Sequence, residues 1–214
     1  ATDPAVVIRQ ITEQIDALKT PYVKGIGLGV PGLADQQEGI VYQLENIPAW
    51  REVPIKQILE DSFHVPVCVD NDANCFALGE SRFGQGQGHD NMVGLTLGTG
   101  LGVGIINKGG IFQSLYAGAG EYGALPYKNG TLEDYCSGAF FKHCYNQRGE
   151  EAFARALHGD KQALAIFNEL GLHIGQAVKV LMLTLSPHLL VIGGSVARAR
   201  RFFSGTMHQE LASF

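Results

Sequence analysis

Apolar residues open the chain on a helical period. Ile8, Ile11, Ile15 and Leu18 follow Asp3 and Pro4, which predicts a helix capped by Asp3 with Pro4 in its first position. The period then changes. Residues 23–30, VKGIGLGV, place Gly25, Gly27 and Gly29 on one face of a strand and Ile26, Leu28 and Val30 on the other. A strand with one bare face lets another segment approach closely. Pro31 and Gly32 end it, and polar residues 35–39 lead into IVYQLENIPAW. A short helix is expected over 54–63, then an apolar strand over 65–69 that runs straight into Asp70-Asn71-Asp72. Residues 74–83 read as helix and 92–112 as a hairpin or meander. Further helices are expected around 132–144 and 150–157, and a long one over 161–185. HLLVI at 188–192 reads as a buried strand ending in Gly193-Gly194-Ser195, before a last helix over 197–212.

Strands and helices alternate, which favours an α/β architecture. A break at residues 84–90, GQGQGHD, is expected to divide an N-terminal lobe, 1–90, from a C-terminal lobe, 91–214. The most apolar stretch, 178–192, is interrupted by Lys179 and by Ser186-Pro187-His188, so no membrane span is expected. Net charge is −5, and the one basic cluster, Arg198, Arg200 and Arg201, reads as a solvated helix face. That balance disfavours nucleic-acid binding. The four cysteines have no C-x-x-C spacing, and Cys68, inside an apolar run, is expected to be a buried free thiol. A reducing, cytoplasmic setting follows from that usage.

Glycine changes the picture. There are 28 in 214 residues, about 13%, against an average near 7%. Fourteen lie between Gly79 and Gly123, without a collagen period and interleaved with Val, Leu, Ile and Phe. A folded segment that needs bare backbone remains.

Four segments could carry chemistry. Asp70-Asn71-Asp72-Ala73-Asn74 stands at the carboxyl end of an apolar strand, where α/β folds place ligands. A carboxylate there could take a proton from a hydroxyl nucleophile, and a capped strand-to-helix turn would read the same way. In Leu97-Gly98-Thr99-Gly100-Leu101-Gly102-Val103-Gly104, small residues allow backbone N–H groups to converge on an anion, with Thr99 adding a hydroxyl. The spacing matches neither the dinucleotide fingerprint nor the P-loop. Glu121 within GAGEYG, 118–123, suits either a polyol contact or a surface turn, as does Glu133 beyond it. Val191-Ile192-Gly193-Gly194-Ser195 could seat a nucleotide or simply turn from strand to helix.

Taken in order, these segments resemble the ROK family of sugar kinases and sugar-responsive repressors. The resemblance rests on GLGVPG at 27–32, Asn46 and Trp50 in ENIPAW, NDAN at 71–74 and LGTGLGVG at 97–104. GAGEYG at 118–123, LEDYCSG at 132–138 and VIGGSV at 191–196 complete it. It implies the actin-like, ribonuclease-H-like fold, two lobes with the active site in the cleft. It implies ATP-dependent phosphorylation of a hexose, glucose or a close relative, with ATP and Mg²⁺. By resemblance Asp72 is the general base and Asn46, Asn71, Asp72, Glu121 and Glu133 bind the sugar. Gly98, Thr99, Gly100 and Gly102 hold the phosphates, and Gly193 and Gly194 lie against the adenosine. A homodimer or homotetramer is also implied. A sugar-sensing regulator and a noncatalytic sugar-binding protein are the alternative outcomes.

Three departures qualify the match. Many members carry a His three residues after the Glu of the GAGE segment; here that position is Ala124. The cysteine-rich loop those members place before the second Glu is here PYKNGT, 126–131, so no structural zinc or other metal ligand set is expected. The family's N-terminal phosphate motif, an Asp with a Gly-Gly-Thr turn, is absent, and the family continues past the helix at 197–212. A fragment is expected, one that alone turns over ATP poorly or not at all.

Overall fold

A computed structural model of the chain describes residues 3–44, 47–112, 119–212 and 214. It divides into two compact units, residues 1–75 with 113–119, and residues 76–112 with 120–214.

The first unit opens with α1 (Pro4–Leu18). Asp3 accepts from the Ala5 backbone N–H, and Pro4 occupies the first turn, as the capping pattern predicts. Its apolar stripe, Val7, Ile8, Ile11 and Ile15, packs half-buried on the core. β1 (Ile26–Val30) pairs in parallel with β5 (Val67–Asn71), Ile26 opposite Val67 and Val30 opposite Asn71. Between them lie β2 (Leu33–Ala34), β3 (Val41–Leu44) and β4 (Ile47–Val53), an antiparallel sheet in that order, and α2 (Ile55–Phe63). β3 and β4 had no assigned element in the sequence pattern. β3 buries only its ends and its register with β4 shifts between Gln43 and Leu44, so strict alternation is lost. Trp50, Ile55, Leu59, Val67 and Val69 form the centre of this core.

β5 is shifted two residues along from the apolar run. Asp70 and Asn71 are strand residues, paired with Gly29 and Val30, and α3 (Asp72–Phe83) begins at once. The helix therefore starts two residues before the expected position. The expected close approach on the bare face of β1 is not found within the strand. A Cβ on Gly29 would make only ordinary contacts, 3.4 Å from Cys75 Sγ and 3.6 Å from the Asp72 Cα, and Gly27 faces open space. Just before the strand, a Cβ on Gly25 would stand a tight 3.2 Å from the Pro66 carbonyl. Cys68 is exposed rather than buried, because alternation along β5 sends Val67 and Val69 into the core and Cys68 to the other side.

In the second unit β6 (Met92–Leu97), β7 (Leu101–Asn107) and β8 (Gly110–Ile111) form an antiparallel meander, with β11 (Leu189–Gly193) parallel to β6. The strand order is β11-β6-β7-β8. β11 is half-buried along its length rather than buried as expected, being hydrogen-bonded on one side only among the described residues. Residues 84–90 form a bonded turn, with the Gly84 and Gly86 N–H groups both on the Glu80 carbonyl.

A small hairpin, β9 (Pro126–Tyr127) and β10 (Gly130–Thr131), precedes α4 (Leu132–Cys136), α5 (Ala139–Tyr145), α6 (Gly149–Leu157) and α7 (Lys161–Leu185). The last helix is broken, a 3-10 turn at Val196–Ala199 followed by α8 (Arg200–Ala212). α7 meets α8 through Gly171 and Gly175, one turn apart on one face and both buried. Side chains at either glycine would run into Thr206, the Phe203 carbonyl or Glu210. Among the described residues no helix is long and apolar enough to cross a membrane.

Candidate functional site

In the first unit the candidate residues stand where β5 runs into α3. Asn71 is the hinge of that junction. Its Oδ1 accepts from the backbone N–H groups of Ala73 at 2.8 Å and Asn74 at 3.4 Å, capping the helix. Its Nδ2 donates to the Gly32 carbonyl at 3.2 Å, which ties the junction to the turn after β1. Asp70 is also committed. Its carboxylate accepts from Gln36 Nε2 at 2.9 and 3.0 Å, from Asn74 Nδ2 at 2.8 Å and from the Asn71 N–H.

Asp72 stands apart from these neighbours. It is exposed in the first turn of α3, and its carboxylate makes no hydrogen bond or ion pair among the described residues. The capped-turn reading of this segment holds for Asp70, Asn71 and Asn74, and Asp72 takes no part in it. Cys75, one turn on, has its thiol pushed up by partial burial and then by the charges of Asp70 and Asp72, which keeps it a thiol at neutral pH. Asn46 lies outside the described residues.

In the second unit the turn between β6 and β7 is held from one side. Gly138 N–H donates to the Gly98 carbonyl at 2.7 Å, and Ser137 Oγ donates to the Thr99 carbonyl at 3.0 Å. In a trans peptide the carbonyl and the following N–H point in opposite directions, and no peptide here is cis. With both carbonyls turned toward Ser137 and Gly138, the N–H groups of Thr99 and Gly100 are turned away. Neither these two donors nor the Thr99 hydroxyl has a partner among the described residues. Successive free amides in a turn are a place for an anion. Ser137 and Gly138 had no role in the sequence; the legible signal is a Ser-Gly pair closing a very short capped helix.

Glu133 reaches the same turn. A reciprocal cap fixes the first turn of α4: Thr131 N–H and Oγ1 donate to Asp134 Oδ2, and Asp134 N–H donates to Thr131 Oγ1. From that turn the Glu133 Oε2 accepts the Leu101 N–H at 2.9 Å. Gly100 must be bare for this, since a Cβ there would overlap the carboxylate. Gly123 is bare for the Leu101 carbonyl, 2.6 Å from where its Cβ would stand, with Glu133 in ordinary contact at 3.5 Å. Gly120, at φ +105°, lets the chain cross the Val103 carbonyl. Glu121 lies between these two glycines, exposed, just before the 3-10 turn Tyr122–Ala124.

Gly102 is a strand residue opposite Thr96, past the turn itself. Gly193 is paired with Thr96 from the other side, and the residue that follows packs against Leu97, so the turns after β6 and β11 share one edge of the sheet. Each glycine has a packing reason of its own. A Cβ on Gly193 would stand 2.5 Å from the Phe76 ring, and one on Gly194, at φ +91°, would overlap the Leu97 backbone. The second unit therefore brings together Gly98, Thr99, Gly100, Glu121, Glu133, Gly193 and Gly194. The first holds Asn71 and Asp72. A cavity of about 350 Å³ lies at the opposite end of β6, beside Met92, Ile106, Phe112 and Pro187, away from these residues.

Behind α4 sits a cluster that supports the hairpin. His173 is buried, its Nδ1 3.0 Å from the Tyr127 hydroxyl and its Nε2 3.4 Å from Lys128 Nζ and 3.5 Å from Glu169 Oε1. Burial first, then Lys128, holds its imidazole below the usual histidine range, against an opposing pull from Glu169. Burial pushes the Tyr127 hydroxyl and the Cys136 thiol up to about 12.

Comparison with known proteins decides the family, for the ROK family model matches residues 2–214. The chain belongs to the ROK family. A glucokinase of Halalkalibacterium halodurans is 34% identical over 206 residues, 82% of this chain, and the chain spans only 62% of that relative's length. A xylose repressor of Bacillus subtilis is 25% identical over 211 residues, 91% of this chain and 54% of the repressor. The structure of a ROK family glucokinase from Streptomyces griseus, in complex with glucose and AMPPNP, superposes with a TM-score of 0.83. It is 26% identical, and the match covers 98% of this chain and 78% of that one. The chain has the actin-like ATPase fold of these ROK structures and is sugar-kinase-like, within a family that also contains repressors.

Proposed function

We propose that this chain belongs to an ATP-dependent hexose kinase acting on glucose or a close relative. The observation that carries the reading is the Asp72 carboxylate. It stands exposed and without a hydrogen-bond partner among the described residues, while Asp70, Asn71 and Asn74 around it are all committed to the junction. A carboxylate so placed can accept the proton of a sugar hydroxyl as that oxygen attacks the γ-phosphorus of ATP. Asn71 fixes where Asp72 stands. Its second Nδ2 hydrogen remains for a sugar oxygen, and Asn46, Glu121 and the free Oε1 of Glu133 are the other sugar contacts in this reading.

The nucleotide falls to the second unit. The Thr99 and Gly100 amides and the Thr99 hydroxyl fit an anionic phosphate, because their donors are already turned outward with no partner to displace. Gly193 and Gly194 flank that edge of the sheet and suit the adenosine. The chemistry that Mg²⁺ would supply in this reading is neutralisation of the charge developing on the phosphates. What the protein supplies in this reading is position: a fixed carboxylate as base and fixed dipoles for the phosphate.

The test is sugar-dependent ADP release by the full-length protein against a panel of hexoses, with Asp72→Asn beside the parent. The variant should lose about 10²- to 10⁴-fold in turnover while retaining sugar affinity. Unchanged turnover would remove Asp72 from the role of base. The relation to a xylose repressor favours a second reading, a sugar-sensing regulator. Sugar binding by the parent with no ADP release on any hexose would select that one.

A further inference from the structure

We infer that Glu133 is the positioning residue of the phosphate turn, one carboxylate that holds the turn through Oε2 and leaves Oε1 for a sugar hydroxyl. The inference rests on the kinase reading for what the turn binds, and on geometry for what Glu133 does.

Four consecutive residues, 98–101, are tied down by three bonds from one short stretch of chain. Gly138 N–H holds the Gly98 carbonyl, Ser137 Oγ holds the Thr99 carbonyl, and Glu133 Oε2 holds the Leu101 N–H. Ser137 and Gly138 fix two peptide planes from their oxygen side. Glu133 fixes the next from its nitrogen side, so Thr99 and Gly100, whose amides are free, lie between anchors. A carboxylate that only bound sugar would need none of this. Yet Gly100 is bare against Glu133, and the Thr131–Asp134 cap fixes the helical turn from which Glu133 projects.

The two oxygens of the carboxylate then have different tasks. Oε2 is committed to Leu101, and Oε1 has no partner among the described residues. A sugar hydroxyl donating to Oε1 would restrain the carboxylate whose other oxygen restrains the turn. Sugar and nucleotide would therefore strengthen each other's binding by an equal factor, as linkage requires.

The experiment measures AMPPNP binding by calorimetry on the full-length protein, with and without glucose, for the parent, Glu133→Ala and Glu133→Gln. Amide hydrogen exchange of the peptide covering 97–104 is followed in parallel. Glu133→Ala should bind AMPPNP about tenfold more weakly with no sugar present, the cost of one charge-assisted hydrogen bond, and exchange faster at Leu101. Glu133→Gln keeps a carbonyl oxygen for Leu101, so its affinity without sugar and its exchange should stay within about threefold of the parent. Its glucose affinity should fall. Unchanged AMPPNP affinity and unchanged exchange in Glu133→Ala would overturn the inference while leaving the kinase reading standing, and so would a Glu133→Gln variant as weak as the alanine one. A parent that binds no AMPPNP overturns the kinase reading itself, and the inference with it.

Discussion

Replacing Asn71 by alanine separates the structural share of the candidate site from its chemical share. The side chain caps α3 through Oδ1 and holds the Gly32 carbonyl through Nδ2. Loss of a helix cap costs about 1 kcal/mol, and loss of a neutral hydrogen bond between half-buried groups about 1 more. Asn71→Ala should therefore be destabilised by about 2 kcal/mol. Asn71→Ser keeps an oxygen that can cap and loses the bond to Gly32, so about half that loss is expected. Asp72→Asn should change stability by less than about 0.5 kcal/mol, as surface substitutions do, because its carboxylate makes no hydrogen bond or ion pair among the described residues. Urea unfolding gives the three midpoints, with an unchanged slope as the check that only stability has moved. An Asn71→Ala loss no larger than that of Asp72→Asn would refute the account of Asn71 as the hinge of the junction. Adjacent residues of one motif thus differ, Asn71 bonded into the fold and Asp72 without a hydrogen-bond partner among the described residues.

Other consequences are as direct. His173 is buried with its imidazole held below the usual range, so the unfolded chain binds its proton more readily than the folded one. The stability it contributes is complete above its unfolded value near 6.5 and is lost as the pH falls through the lower folded value. Tyr127 and Lys128 of the hairpin, Tyr135 and Cys136 of α4 and Glu169 of α7 face it. Unfolding midpoints at pH 7.5 and 5.5 should therefore diverge in the parent and converge in His173→Gln; equal slopes in the two proteins would exclude the assignment. Gly171→Ala sets two effects against each other. Helix propensity favours alanine by about 1 kcal/mol, but the methyl would enter contact distance of the Phe203 carbonyl and Thr206, which costs about 1–3 kcal/mol. Packing should win, lowering Tm by a few degrees for a chain of this size, and a raised Tm would show that α7 and α8 are not in such close contact.

The sequence by itself determined the helices, the longer strands of the second unit and the family, and left β2, β3, β4 and the β9–β10 hairpin unassigned. The Asp3-Pro4 start, the 161–185 helix and the strand-turn-strand at 92–107 are local patterns, set by caps, periodicity and small residues, and the structure has all three. So is the order of the motifs that marks a ROK chain. What it left open was the division of labour inside each motif. Asp70, Asn71, Asp72 and Asn74 are equally polar on paper. Only the pairing of β5 with β1 and the approach of Gln36 and Gly32 decide that three of them are bound and one is not. The glycines divide in the same way. Gly100 is bare because Glu133, distant from it in sequence, folds back onto the turn; Gly123 is bare for the Leu101 carbonyl, Gly193 for Phe76 and Gly194 for Leu97. Cys68 went the other way, exposed by the alternation of a strand whose apolar run looked buried throughout. A helix or strand is written by near neighbours, so a sequence reader can find it. The partner of a carboxylate or the occupant of a glycine's empty side is set by which distant segment arrives there, and that is known only once the chain has folded.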